Sequence, residues 1–385
     1  FQLHSTNTRQ FDISAPSIRT AAGALSFGLF LFVASVILLP QAGAQDESFE
    51  SGLKFNAAIR LQKLESFDLA AEAWSEFIAK YPKDERLDKA NYNLGVCRYQ
   101  TNNFDAAAAA FENVAANHPK FELADAALLY LGTIRFEKAR KGTDSKAYTT
   151  AAVAFNKLIN DHPKSEYLKD AEYYLAECMY LSGDKQVAVD KYKAWLGRYP
   201  NQTETPTVLY ALGVAQQELG QNADAAATFD RFLKEHPTNA QATEVSFRRA
   251  ELHFGAEEFD KAIAMYDQTL KPGKISIADF IKLRKGEAYS RLNQHAKAAE
   301  AFESVVTDHP QSKYAEQARL AAGKMRFASG EYSESRKMLF ALYQSDPVNH
   351  GEALHLMMRG LLNEKRPQDV VDFLPKEISK VTDAA

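Results

Sequence analysis

Cysteine is nearly missing from this chain: two stand among 385 residues, Cys97 and Cys178. That excludes a disulfide framework and a four-thiolate zinc site. Basic charge is not in surplus either, with 46 Lys and Arg against 50 Asp and Glu and a formal net charge of −4. Nucleic-acid binding, which usually shows a basic patch or stripe, gains no support. No glycine-rich phosphate loop, no paired-cysteine metal motif and no alternating apolar–polar stretch is present. Those absences remove the signatures of nucleotide sites, metal sites and half-buried strands.

What the chain does have is a period. Small residues recur at Ala58, Gly95, Gly132, Ala176, Gly213, Ala250, Gly286, Gly323 and Gly360, at intervals of 37 except for one of 44 and one of 36. Pro82, Pro119, Pro163, Pro200, Pro237, Pro272, Pro310 and Pro347 keep step with them. Self-similarity at 20 to 50 residues is the mark of a stacked-repeat architecture. Within a copy, apolar residues fall at i, i+3, i+4 and i+7 in two successive stretches, which predicts two amphipathic helices. A polar or glycine-bearing turn separates them, as at Asn102-Asn103 and Ser182-Gly183, and each proline ends the second helix.

Each small residue marks where two helices approach closely. Its expected partners lie on the second helix, at Ala70, Ala107, Ala151, Ala188, Ala225, Ala262 and Ala298. An aromatic stands four residues further on, on the same face: Trp74, Phe111, Phe155, Tyr192, Phe229, Tyr266 and Phe302.

The order Tyr92-Asn93-Leu94-Gly95, Phe104, Ala107, Phe111, Pro119 resembles the tetratricopeptide repeat (TPR), over Gly52 to about Phe373. The usual repeat is 34 residues long; here about three more follow the proline, and the tryptophan common early in the first helix is missing. The longer, proline-ended variety is similar to periplasmic TPR proteins of bacterial envelopes. These include lipoproteins of outer-membrane-protein assembly and soluble partners of the Tol–Pal system. The resemblance implies an all-α, right-handed solenoid of stacked antiparallel helix pairs, about eight full repeats plus a C-terminal cap. It also implies a non-catalytic scaffold for protein partners.

Residues 1–44 differ from the rest. Arg9 and Arg19 precede the uncharged run Ala21 to Leu39, and Pro40 and Ala42-Gly43-Ala44 follow. A basic stretch, an apolar stretch and an Ala-x-Ala site predict a signal peptide cut before Gln45 and an exported, periplasmic protein. The alternative is an uncleaved inner-membrane anchor at 21–39, since 19 apolar residues suffice to span a bilayer. No cysteine follows the cleavage site, so the lipid anchor of the resembled lipoproteins is not expected. The repeats are expected to occupy 45–375, with Leu354 to Phe373 as a cap, a second helix interrupted by Pro367 and Pro375, and a frayed 376–385 tail.

Candidates for chemistry fail one by one. Cys97 and Cys178 lie two repeats apart, hence at least about 20 Å at helix spacings of 8–10 Å, and a disulfide needs Cα atoms within about 7 Å. His118, His162, His236 and His309 precede repeat-ending prolines, where Tyr81 and Tyr199 stand in other copies. They read as helix ends in separate layers, not ligands of one metal. Ser182-Gly183-Asp184-Lys185 has a Ser-x-x-Lys spacing but lacks companion motifs. Neither catalytic nor metal residues, nor a cofactor, nor a small-molecule substrate is expected.

A partner-binding face is expected on the first helices. Three residues before each small residue stand Phe55, Tyr92, Leu129, Tyr173, Tyr210, Phe247, Leu283, Leu320 and Met357; four after it stand Tyr99, Phe136, Tyr180, Phe254 and Phe327. Seven residues apart, the two series share a helix face. On one reading they line a concave groove, with Tyr92, Tyr99, Phe136, Tyr173, Tyr180, Tyr210, Phe247, Phe254 and Phe327 contacting a partner. On the other they pack against the next repeat. The 137–146 insertion, with four basic residues, reads as a solvated loop or as a docking point for an acidic partner or lipid headgroups. An anchored scaffold and an accessory module of a peptidoglycan-enzyme complex remain as alternatives.

Overall fold

The computed structural model describes residues 42–271, 275–346 and 351–373. The expected signal segment up to residue 41, Pro272, Pro347, Pro375 and the 376–385 tail lie outside the described residues. Within them there is no strand; the fold is all-α.

The chain divides into two compact units, 1–205 and 206–385. In the first, α1 (Ala42–Lys63) pairs with α2 (Phe67–Lys80), α3 (Leu87–Gln100) with α4 (Phe104–Asn117), α5 (Ala124–Lys141) with α6 (Ala147–Asp161), and α7 (Leu168–Ser182) with α8 (Lys185–Arg198). The second holds α9 (Thr205–Glu218), α10 (Asn222–Glu235), α11 (Ala242–Gly255), α12 (Phe259–Leu270), α13 (Ala278–Arg291), α14 (His295–Asp308), α15 (Ala315–Ala328), α16 (Tyr332–Ser345) and α17 (Gly351–Asn363). From α1 to α8, each helix packs on the one that follows it, and so it goes from α10 to α17.

The ends of one helix show how the sequence sets these bounds. The run Ala106 to Ala110 gives α4 five successive residues of the highest helix propensity. Asn103 caps it, its side chain accepting from the Ala106 N–H at 3.4 Å. His118 closes it by donating its N–H to Val114 at 2.9 Å, and Pro119 forbids another turn. Tyr81, His162, Tyr199, His236 and His309 make the same closing bond in their copies, as their place before proline predicts.

The turn inside each pair has one left-handed residue: Glu65, Asn102, Gly183, Gly220, Glu257, Asn293, Gly330 and Lys365 all have positive φ. In the turns at Glu65, Asn102, Gly220, Glu257, Asn293, Gly330 and Lys365 the next N–H then reaches back five residues, as from Asn103 to the Arg98 carbonyl at 2.8 Å, closing the first helix in a Schellman motif. The third copy departs from this. Its insertion extends α5 to Lys141, and Gly142 leaves the helix with φ −89°. The stretch expected to be a loop is therefore helical through 141, and three of its four cations already have partners. Lys138 pairs with Asp105 at 2.6 Å, Arg140 with Glu137 at 2.6 Å, and Lys141 lies over the Phe104 ring.

The small residues do a more specific job than expected. A Cβ on Gly95 would stand 2.7 Å from the Phe111 ring, and one on Gly132 would stand 2.5 Å from Phe155. Gly213 with Phe229, Gly286 with Phe302 and Gly323 with Leu339 repeat the fit. The partner is thus the aromatic itself; the alanines four residues before it are sealed at the same interface. Where the small residue is Ala, the plug carries a polar atom. Tyr192 donates to Glu177 at 2.5 Å, Tyr266 donates to Glu251, and Trp74 donates to Gln62 at 3.1 Å.

The last copy is incomplete. The residue sixteen after Gly360 is Lys376, outside the described residues, and a Cβ on Gly360 would only touch Tyr332. Pro367 does not interrupt a helix; it is the first residue of helical segment 367–373, the position where its missing N–H costs nothing.

Candidate partner-binding site

Three residues before a small residue is 300° around a helix, hence 60° from the face that meets the second helix. Side chains there are drawn into the core. Tyr92 is 2% exposed, and Phe55, Leu129, Tyr173, Tyr210, Phe247, Leu283 and Met357 are likewise buried; Leu320 is half-buried. Phe55 meets Trp74 edge-on at 4.9 Å, Tyr92 lies between Phe111 and Phe121, and Phe247 lies between Tyr266 and Phe280. The packing alternative holds for this series. Its side chains belong to the core and offer almost no surface themselves.

The second series differs. Tyr99, Tyr180, Phe254 and Phe327 are half-buried, and only Phe136 is sealed. Tyr99 meets Phe104 edge-on at 5.5 Å, Phe254 meets Phe259 at 5.2 Å and Phe327 meets Tyr332 at 5.2 Å. Each pair straddles the left-handed turn residue. One edge of the ring is therefore fixed by the first residue of the second helix, and another remains open on the first helix.

Beside these rings, the two units differ in chemistry at one register position, two residues before the small one. In the first unit Tyr130 stacks flat on Phe111 (4.8 Å, 3°) and Tyr174 stacks on Phe155 (5.4 Å, 8°). In two copies of the second unit the position carries Arg248 and Arg284; Asn56 and Asn93 in the first unit, and Ala211, Ala321 and Met358 in the second, follow neither pattern. Arg284 forks onto Glu251 at 3.0 and 2.9 Å, reaches Glu287 at 2.5 Å and lies over the Phe254 ring, 3.8 Å from its centroid. Burial opposes the charge of Arg284, and the bonds to Glu251 more than offset it, so its pKa is raised. Burial first, and then the neighbouring Glu251 carboxylate, push the Tyr266 hydroxyl upward too. Arg248 bonds Glu244 at 3.0 Å and Gln217 at 3.2 Å, and Tyr210 donates to Glu244 at 2.5 Å.

This ionic strip is absent from the residues singled out by sequence reasoning. A signal was there: Arg at two before and Glu at one after the small residue, in successive copies (Arg248 and Glu251, Arg284 and Glu287). Other candidates resolve simply. Cys97 and Cys178 are free and buried, their thiols pushed up to about 12 by desolvation. Ser182 ends α7 and donates to the Met179 carbonyl at 3.0 Å.

Residues 54–179 match a family model described as YfiO, an outer membrane lipoprotein. Residues 170–201, 210–275 and 282–312 match models of the tetratricopeptide repeat. Among solved structures, the C-terminal part of a TPR repeat-containing protein from Cytophaga hutchinsonii is similar. Its TM-score is 0.51 at 18% identity, with 69% of this chain and 98% of that one covered. A tetratricopeptide repeat protein from Parabacteroides merdae gives 0.44 at 17% identity, over 70% of this chain and 98% of that one. Compared with curated protein sequences, the chain has no significant match.

Proposed function

With a chain built of tetratricopeptide repeats as the premise, we propose a non-catalytic scaffold of the bacterial cell envelope that holds segments of partner proteins along its first helices. The observation that carries this reading is the pair of series on one helix face. The rings three residues before the small residue are sealed, while Tyr99, Tyr180, Phe254 and Phe327 keep an open edge. A half-buried aromatic held by its neighbours presents apolar area at little entropic cost, which suits recognition of a peptide segment. In the second unit, the ionic strip beside Phe254 favours partner segments with polar or charged side chains.

The envelope assignment draws support from the outer-membrane-lipoprotein model over 54–179 and from the signal-like residues 1–44. Among the described residues no helix is long and apolar enough to cross a membrane. Intact-mass measurement of the protein from its native cells tests export. A chain beginning at Gln45 supports a periplasmic scaffold; a retained Ala21 to Leu39 run replaces it with an anchored one.

The binding reading is tested by capture of partners from crosslinked native envelopes. Tyr99→Ser combined with Tyr180→Ser should lose partners held by the parent, while circular dichroism shows both folded. Equal capture by the two would remove the first-helix face from consideration.

A further inference from the structure

The ring edges of the second unit do not share one electrostatic setting. Over Phe254 lies Arg284 of the next first helix, and Glu251, three residues before Phe254, takes its fork at 3.0 and 2.9 Å. Arg248 lies over the Tyr210 ring and holds Glu244 at 3.0 Å. In both places the chain itself supplies the carboxylate that a guanidinium on a ring takes. At Phe327 it does not. Arg359 lies over this ring, 5.4 Å from its centroid. The residue three before Phe327, the counterpart of Glu251, is Lys324. The residue three after Arg359, the counterpart of the Glu287 that bonds Arg284 at 2.5 Å, is Leu362, 52% exposed. Lys324 pairs with Glu352 at 2.8 Å, while the exposed Arg359 side chain has no ion pair or hydrogen bond among the described residues. Glu352, His355, Arg359 and Leu362 form one exposed stripe along α17.

We propose that this end of the first-helix face takes an Asp or Glu carboxylate from a partner segment, which replaces the acid that the chain supplies to Arg284 and Arg248. An apolar residue two places away, on the same side of an extended segment, lies on Phe327 and Leu362. This inference rests on the reading of the first helices as the partner's path and adds the sign of the charge there. Two cations, Lys324 and Arg359, with one acid, Glu352, leave the patch net positive beside an open ring. A guanidinium takes a carboxylate through two parallel N–H donors, which a lysine does not offer. An ion pair at an exposed site holds little by itself; the apolar contact keeps the segment in place and the carboxylate selects it.

The test uses the full chain and two fluorescein-labelled peptides, Gly-Leu-Ser-Glu-Ser-Leu-Gly and the same peptide with Lys in place of Glu, read by fluorescence anisotropy. The parent should bind the Glu peptide saturably below about 1 mM and at least about fivefold more tightly than the Lys peptide. Arg359→Glu, at an exposed position where circular dichroism should show the fold intact, should reverse that order. Tyr99→Ser with Tyr180→Ser, in the other unit, should leave both affinities unchanged. Four results overturn the proposal. Three concern the peptides: no saturable binding of either, equal affinity for both, or an order that survives Arg359→Glu. The fourth is flotation with vesicles of phosphatidylethanolamine and phosphatidylglycerol that Arg359→Glu abolishes, which would give the patch to a lipid surface. Failure of the underlying reading looks different, since Tyr99→Ser with Tyr180→Ser would then lose no captured partner. Partners lost by that variant, beside peptides that do not discriminate, would sink this inference alone.

Discussion

A glycine inside a helix costs about 1 kcal/mol against alanine, so at Gly95 it must return more than that. Phe111 lies where a Cβ would be, 2.7 Å away, and a methyl there forces the ring or the helices apart. Gly95→Ala should destabilise by about 1–3 kcal/mol, read by urea denaturation. Gly197, exposed near the end of α8 with nothing within 4 Å of a Cβ, is the internal comparison. Gly197→Ala should be neutral or stabilise by up to about 1 kcal/mol. Asp84 makes a second test. It accepts from the Arg86 backbone N–H at 2.9 Å, from Nε at 2.8 Å and from Nη2 at 2.7 Å, and these bonds hold its carboxyl at about 2 against an ordinary 3.8. A folded-state value below the unfolded one adds stability above pH 3.8 that is lost as pH falls toward 2. Asp84→Asn should cost about 1–2 kcal/mol at neutral pH and flatten the acid limb between pH 4 and 2. At this scale the plug was legible, since the aromatic stands 16 residues after its small residue in every copy that has one except the third, where the insertion makes it 23. The polar anchors were not: nothing in the repeat pattern sets Glu177 against Tyr192 or Gln62 against Trp74.

Helix pairs and their ends were legible because local chemistry sets them. Proline, Asn caps and apolar periodicity all act within one copy. The turn residue follows the same rule with flaws at Glu65, Glu257 and Lys365, where a positive φ, 60° at Glu257, is strained for a side chain that is neither Gly nor Asn. Glu257→Gly should stabilise by about 0.5–1 kcal/mol, seen as a rise in Tm; a fall would mean the Glu257 side chain itself holds the turn. Misread elements have equally local causes. The 137–146 stretch looked like a loop because it interrupts the repeat, yet Glu137 to Lys141 continues α5 with Ala139 buried against the core. The fate of the two aromatic series depends on the angle between helix faces, which spacing alone left open. The Arg284–Glu251 fork joins residues 33 apart, from two copies, and only stacking brings them together. Glu251→Gln should destabilise by about 1–3 kcal/mol, since it leaves a largely buried guanidinium with half its fork.

Within each unit, repetition does what a single core does elsewhere: each helix pair packs on the next, and function is left to whatever the copies expose. What they expose on the first helices is a row of ring edges, over stacked tyrosines in one unit and beside forked arginines in the other. That arrangement is the basis for reading the chain as a scaffold. The most direct test is site-specific photo-crosslinking in native envelopes, with a benzophenone amino acid placed in turn at Tyr99, Tyr180, Phe254 and Phe327, and at Val153 on the second-helix side. Discrete protein adducts from the first four positions and none from Val153 are the expected result. Adducts from Val153 alone, or from no position, would contradict the account.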